Sequence, residues 1–202
     1  MKLYRTLLAI LIAFVTTTRT FSYERPMVIV IPSYKNEQWV EKNLSSVHTQ
    51  QYNNVRVIYI DDCSPDATYH KAVEITARYN KQASTTIIHN EQRCGALANL
   101  YNTIIGCKDY EIIVTLDGDD WLPDTMVLSR LNNYYDQDIW MTYGQFQEYP
   151  GGKGTGHSVH FPQTTITTNA FRSYHTPWAL LPASHLRTFY AWLFKSIEIN
   201  DL

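Results

Sequence analysis

Charge is scarce in this chain. Asp, Glu, Lys and Arg make up 18% of its 202 residues, the formal net charge is -2, and basic residues form no cluster beyond short isolated pairs. Without a basic stripe nothing tracks a phosphate backbone, so nucleic acid is excluded as an expected partner. Cysteine is scarce too. Cys63, Cys94 and Cys107 are odd in number and show no C-x-x-C spacing, which argues against a disulfide framework and a zinc cluster and leaves buried free thiols as the expectation. Internal repeats and low-complexity segments are absent. The N-terminal apolar run, Leu7 to Val15, falls far short of the ~20 residues needed to cross a bilayer as a helix.

That run does have a context. Lys2 and Arg5 precede it and a Thr-rich stretch leads to Arg19, so residues 1–25 read as a signal peptide or, extended through Thr16 to Thr18, as a short membrane anchor. A buried helix of the domain is the remaining alternative. The first two readings set the expected location in the secretory pathway, extracytoplasmic or membrane-associated.

What is plentiful is apolar residue, 45% of the chain, enough to bury a core in one domain over residues 26–202. From Met27 onward, short Val- and Ile-rich runs alternate with helical stretches of ten or more residues, the pattern of βαβ units and a parallel sheet. Strands are expected at Met27 to Ile31, Val55 to Ile60, Thr85 to His89 and Ile112 to Leu116, each apolar nearly throughout because helices would cover both faces. Helices are expected at Trp39 to Thr49, Asp66 to Tyr79, Gly95 to Ile105 and Thr125 to Tyr135, the second beginning with Ser64 as N-cap and Pro65 at the first helical position. Beyond lie a strand at Ile139 to Tyr149, a glycine-rich turn at 150–154, a possible hairpin partner at His157 to Phe161, and a helix at Ser184 to Ile197.

In open α/β sheets ligands bind outside the carboxyl ends of the strands. Three such ends are polar: Pro32-Ser33-Tyr34-Lys35-Asn36-Glu37, Asp61-Asp62-Cys63-Ser64 and Asp117-Gly118-Asp119-Asp120. Three carboxylates within four residues repel one another unless a cation or solvent offsets them. Oxygen ligands favour Mg2+ or Mn2+, and such a site leaves coordination positions for substrate phosphates. An acidic surface turn is the alternative. His157 and His160 form H-x-x-H without a third ligand and read as surface residues.

Taken in order, Val28 to Tyr34 with Asn36-Glu37, Ile58 to Ser64, Asn90 to Asn99 and Leu116 to Asp124 resemble the motifs of family 2 glycosyltransferases of the GT-A fold, a Rossmann-like, mostly parallel sheet flanked by helices. The resemblance covers about Pro26 to Tyr135. It implies a nucleotide-sugar-binding half at 26–135 and a partial acceptor half at 136–202. It places Pro32 and Tyr34 at the nucleobase, with Asp62 accepting a hydrogen bond from the base and Asp61 a weaker candidate for that task. Glu37 and Arg93 would contact ribose or phosphate, and Gly95 would open a helix toward the anion. Asp119 would be the main Mn2+ or Mg2+ ligand, Asp117 would contact ribose or the metal, and Asp120 would face the acceptor. Each has a plainer alternative: Tyr34 packed on the first helix, Asp62 capping the next, Glu37 and Arg93 solvated, Gly95 a turn glycine.

The implied reaction is inverting transfer from a nucleoside diphosphate sugar, a UDP-sugar, to the hydroxyl of a glycan, lipid or protein acceptor. The general base is expected beyond Leu202, since His175, His185, Glu198 and Asp201 read as satisfied or solvated residues. Two competing readings stay open: an inactive or truncated nucleotide-sugar-binding module, and a nucleotidyltransferase.

Overall fold

The computed structural model describes residues 23–150, 162–168 and 184–197. Residues 1–22 of the expected signal or anchor segment, the glycine-rich turn from 151 onward, the strand at 157–161 with its H-x-x-H pair, His175, Glu198 and Asp201 lie outside them. No helix among the described residues is long and apolar enough to cross a membrane.

Strand β1 (Met27–Ser33) runs through the middle of the sheet with all seven residues buried. Parallel neighbours flank it, β2 (Val55–Asp61) on one side and β4 (Ile112–Thr115) on the other, with Met27 opposite both Val55 and Ile112. Alternation sorts the side chains of β1 to two cores. Met27, Ile29 and Ile31 meet helices α1 (Val40–His48), α2 (Thr68–Arg78) and α4 (Val127–Tyr135) through Val40, Leu44, Val47, Ala72, Ile75, Leu128 and Tyr135. Val28 and Val30 face the other way, toward Ile104 of α3 (Ala96–Ile104) and Cys107. A continuous apolar run is therefore what a strand covered on both faces requires.

The sheet order is β3-β2-β1-β4-β6-β5, with β3 (Thr85–His89) parallel to β2. As the edge strand β3 departs from the expectation of full cover: none of its residues is buried, and Ile88 is 39% exposed. Helix α2 begins at Thr68, later than expected. Ser64 does not cap it; the Ser64 amide donates to Asp61 Oδ2 at 3.2 Å and its hydroxyl accepts from the Lys35 amide at 3.0 Å. Asp66 takes over the start of the helix by accepting from the Thr68 amide at 3.1 Å.

The larger correction falls at Ser184 to Ile197, expected as one helix. Residues Ser184–Tyr190 form β6, antiparallel to β4, and only Ala191–Lys195 form a helix, α6. Of the aromatics that would cover more than one helix face, Phe189 and Tyr190 fall on opposite faces of the strand, and Trp192 and Phe194 stay in α6. Leu186 and Tyr190 pack on the first core and Phe189 on the second. Between them Thr188, fully buried, bonds the Tyr135 hydroxyl at 2.8 Å and the Thr142 hydroxyl at 2.6 Å. The open edge of β4 recruits these residues, and pairing overrides a helical reading that rested on local pattern alone. Strand β5 is likewise shorter than expected, Met141–Gly144, and pairs antiparallel with β6. A short helix, α5, spans Gln163–Thr167.

Because β1 to β4 are parallel, their carboxyl ends share one edge of the sheet. The amino end of α3 lies there too, tied through Asp62 to the end of β2.

Candidate functional site

The carboxylates after β4 sit on a tight turn. The Asp120 amide donates to the Asp117 carbonyl at 3.1 Å, closing the turn over Gly118 and Asp119. Asp117 and Asp119 are exposed, Asp120 half-buried and Gly118 buried. Gly118 has no substitute: a Cβ there would lie 2.6 Å from Ser33 Cβ and Asn36 Nδ2 and closer still to Ser33 Oγ. Its amide donates to the Pro32 carbonyl at 3.2 Å, so the turn rests directly on β1. Ser33 is itself fixed, its hydroxyl accepting from Tyr59 Oη at 2.8 Å and Asn36 Nδ2 at 3.1 Å.

Helix α1 holds the turn from behind, which sequence reasoning missed. Asn43 Nδ2, fully buried, donates to the Asp117 carbonyl at 3.0 Å and the Asp120 carbonyl at 2.7 Å. One turn later Ser46 Oγ accepts from the Leu122 amide at 3.0 Å, and one more turn on Gln50 Nε2 donates to the Asp124 carbonyl at 2.6 Å. Asparagine and serine at i and i+3 on an otherwise apolar face of α1, with glutamine just past its end, were the available signal. Asn43 Oδ1 is buried without a partner, a cost of about 1–3 kcal/mol that an apolar residue would avoid.

Beyond the turn, Trp121 stacks on Trp39 with ring centroids 6.0 Å apart and meets Tyr149 edge-on at 5.2 Å. The Lys42 ammonium lies 4.0 Å from the Trp121 ring centre and 3.5 Å from that of Tyr149.

At the end of β2 the arrangement differs. Asp62 is 3% exposed and already engaged: Oδ1 accepts from Asn90 Nδ2 at 2.9 Å and the Cys94 amide at 2.8 Å, and Oδ2 from the Gly95 amide at 2.8 Å. Burial pushes this carboxyl up, but the Cys94 amide, the side chains of Asn99 and Asn90 and the Gly95 amide together hold it down, to about 2. These donors use at least three of the roughly four acceptor positions a carboxylate offers. Gly95 adopts φ of +89°, and nothing lies within 4 Å of where its Cβ would be, so backbone conformation and not crowding calls for glycine there.

The Arg93 guanidinium, 63% exposed, stacks 3.9 Å over the half-buried Tyr34 ring, with its Nε 4.0 Å from Asp62 Oδ2. Tyr34, Asp62, Arg93 and Gly95 thus form one group, and Pro32 is buried in β1 beneath the carboxylate turn. Glu37 stands apart, pairing with Lys71 at 3.0 Å and accepting from the Ala67 amide at 3.2 Å, which lowers its pKa. Asp61 is fully buried, with Oδ2 2.7 Å from His89 Nδ1.

Among the described residues no three His, Cys, Asp or Glu side chains gather as a metal-binding group. Two exposed carboxylates flanking a glycine do fit a hard divalent cation that draws its remaining ligands from phosphate and water.

Comparison with known proteins identifies the fold and the family. At the level of fold, the chain resembles the mannosyltransferase PcManGT from Pyrobaculum calidifontis, described in complex with GDP-Man and Mn2+ (TM-score 0.60, 17% identity, 86% of this chain and 47% of that one). It also resembles S. aureus TarS in complex with UDP-GlcNAc (TM-score 0.61, 16% identity, 84% of this chain and 46% of that one). The fold is GT-A, with four parallel strands extended by an antiparallel pair. By sequence it is 25% identical over 178 residues to the Escherichia coli UDP-Glc:alpha-D-GlcNAc-diphosphoundecaprenol beta-1,3-glucosyltransferase WfgD, covering 82% of this chain and 67% of that protein. It is 22% identical over 128 residues to the Streptococcus pneumoniae glycosyltransferase GlyA, covering 63% of this chain and 18% of that protein. The chain therefore spans just under half of these solved structures and under a fifth of GlyA. The glycosyl transferase family 2 model matches residues 28–198, and the chain belongs to that family.

Proposed function

We propose that this chain carries the donor site of an inverting, metal-dependent glycosyltransferase that takes a UDP-sugar and passes the sugar to an acceptor hydroxyl. The observation that carries the reading is the convergence of the Tyr34–Arg93–Asp62 group and the Asp117–Asp120 turn on one edge of a GT-A sheet. Tyr34 and Arg93 supply a planar aromatic and a planar cation for a nucleobase. Past the Gly95 amide, which Asp62 already holds, the first N–H groups of α3 and its dipole favour the phosphates. In this reading Asp62 accepts a hydrogen bond from a base N–H.

Asp119 and Asp117 would hold Mn2+ or Mg2+ between protein and diphosphate. When bound, the ion offsets the charge that develops on the departing nucleoside diphosphate. The chain's own contribution is to fix Asp119 at the mouth of the sheet, with Asp120 turned to the acceptor side. The mannosyltransferase neighbour binds Mn2+ with its donor, which supports the metal reading. No described residue is assigned as the general base. WfgD, by name, uses a lipid-diphosphate-linked acceptor, and an acceptor of that kind together with the N-terminal apolar run supports a membrane-proximal location.

The test is release of UDP from a panel of UDP-sugars, with and without Mn2+. Expected is Mn2+-dependent release that Asp119→Ala abolishes. Binding of UDP without release identifies a donor-binding module, and release of pyrophosphate from a nucleoside triphosphate and a sugar phosphate identifies a nucleotidyltransferase; either result sinks the proposal.

A further inference from the structure

We infer that Asn43 is a positioning residue for the metal-binding carboxylates: from beneath the Asp117–Asp120 turn, its amide holds the two carbonyls that bracket Asp119. The inference rests on the proposed metal role of Asp119 and Asp117. One nitrogen serves both carbonyls, at 3.0 and 2.7 Å, so its two hydrogens fix the first and last residues of the turn against each other and against α1. The turn's own closing bond, from the Asp120 amide to the Asp117 carbonyl at 3.1 Å, sets the span but not the orientation of the turn on the helix. Gly118 seated on Ser33 supplies the second anchor. The backbone on both sides of Asp119 is thereby anchored although its side chain is exposed.

The retained asparagine needs an explanation that packing does not give. Its side chain is fully buried in the first core face among Val40, Leu44 and Val47, and its Oδ1 has no partner. A buried unsatisfied atom in a native core asks for a role. Ser46 is the internal control, since it holds the same segment from the same helix but at Leu122, past the carboxylates.

The experiment compares UDP binding by calorimetry with and without Mn2+ in the wild-type protein, Asn43→Leu and Ser46→Ala, with hydrogen exchange of the Gly118–Asp120 amides. Expected for Asn43→Leu is metal-free UDP affinity within twofold of wild type, loss of at least tenfold of the Mn2+-dependent gain, and at least tenfold faster exchange at Asp120. Ser46→Ala keeps the gain. If Asn43→Leu does not fold by circular dichroism, Asn43→Ser, whose single hydroxyl proton serves one carbonyl, gives the same reading with a smaller loss. A gain retained in the Asn43 variant, or lost equally in Ser46→Ala, overturns the role. A wild-type protein whose UDP affinity does not respond to Mn2+ overturns the proposed function and this role with it.

Discussion

The ends of β4 and β2, the two walls of the proposed donor site, solve the same problem in opposite ways. On the β4 wall the scaffold and the ligand-facing groups are different residues: Gly118, Ser33 and Asn43 fix the backbone from inside, and Asp117 and Asp119 stand exposed on top. On the β2 wall one residue does both jobs. Asp62 holds the 90–95 loop and the start of α3 through three hydrogen bonds, and it is also the residue expected to face the nucleobase. The difference teaches that removing a carboxylate has consequences set by its burial. A buried carboxylate carries folding free energy; Asp119, exposed on its turn, is expected to carry chemistry alone.

The largest expected effect breaks that comparison if it fails. Asp119→Ala should lower the rate of UDP release by about 100-fold or more, the scale seen when a preorganised charge-stabilising group is lost, with its urea midpoint unchanged. Asp62→Ala should lower both quantities. Leaving the Cys94 and Gly95 amides and the Asn90 side chain without their charged acceptor costs about 1–3 kcal/mol per unsatisfied group, and not additively. Urea denaturation of the two variants side by side decides it: equal stabilities would show that Asp62 does not anchor its loop.

Next in size is Gly118→Ala. The added Cβ meets Ser33 and Asn36, and Ser33 cannot retreat because Tyr59 holds it. Overpacking of this kind costs about 1–3 kcal/mol, and the same denaturation series reads it. Because the strain falls on the turn, the Mn2+-dependent gain in UDP affinity should shrink as well. A variant that stayed stable and kept the gain would show that the turn does not depend on its seat on β1.

How much of this was legible follows the same division. Strands β1, β2 and β4 announced themselves because burial on both faces leaves a continuous apolar run, as in Met27 to Ile31, and because polar clusters end each run where the ligand edge begins. The exposed carboxylates were legible for the same reason, three acids in four residues at a strand end. Asn43 was not, since its role is to bond two carbonyls 74 and 77 positions away; only a polar residue on the buried face of α1 hinted at it. Nor was β6. Its pairing with β4 spans more than 70 residues, from Ile112–Tyr190 to Thr115–Arg187, and its aromatic-rich sequence suits a helix until β4 offers an edge. The Asp62 network lay between these cases: the residue was picked out, but its three donors, two of them backbone amides, leave no mark in a sequence.

A milder perturbation of the β2 wall needs no mutation. The Asp62 pKa, held near 2, lies below the ordinary value of 3.8, so the folded state favours the ionised form. The stabilisation is fully present above pH 4 and is lost as pH falls toward 2, where the folded state must also take up the proton. Wild type should therefore lose stability across that window more steeply than Asp62→Asn, which has no proton to take up. Matching acid profiles in the two proteins would show that other carboxyls dominate.

The smallest effect belongs to Arg93, and it sharpens the comparison because Arg93 is the exposed member of the β2 wall. Its guanidinium covers the Tyr34 ring at 3.9 Å and approaches Asp62 no closer than 4.0 Å while remaining 63% exposed. An exposed cation–π contact contributes only about 0.5–1 kcal/mol, and an exposed ion pair at that distance adds less than about 1 kcal/mol. Arg93→Ala should then leave the urea midpoint within error and weaken UDP binding by roughly two- to tenfold, with the loss shrinking as salt rises. Arg93→Lys should recover little, since an ammonium keeps the charge but not the plane that stacks on Tyr34 and on a base. If Arg93→Ala destabilised the fold as Asp62→Ala does, the β2 wall would be a single cooperative unit, and the division between anchoring carboxylate and ligand-facing cation would fall.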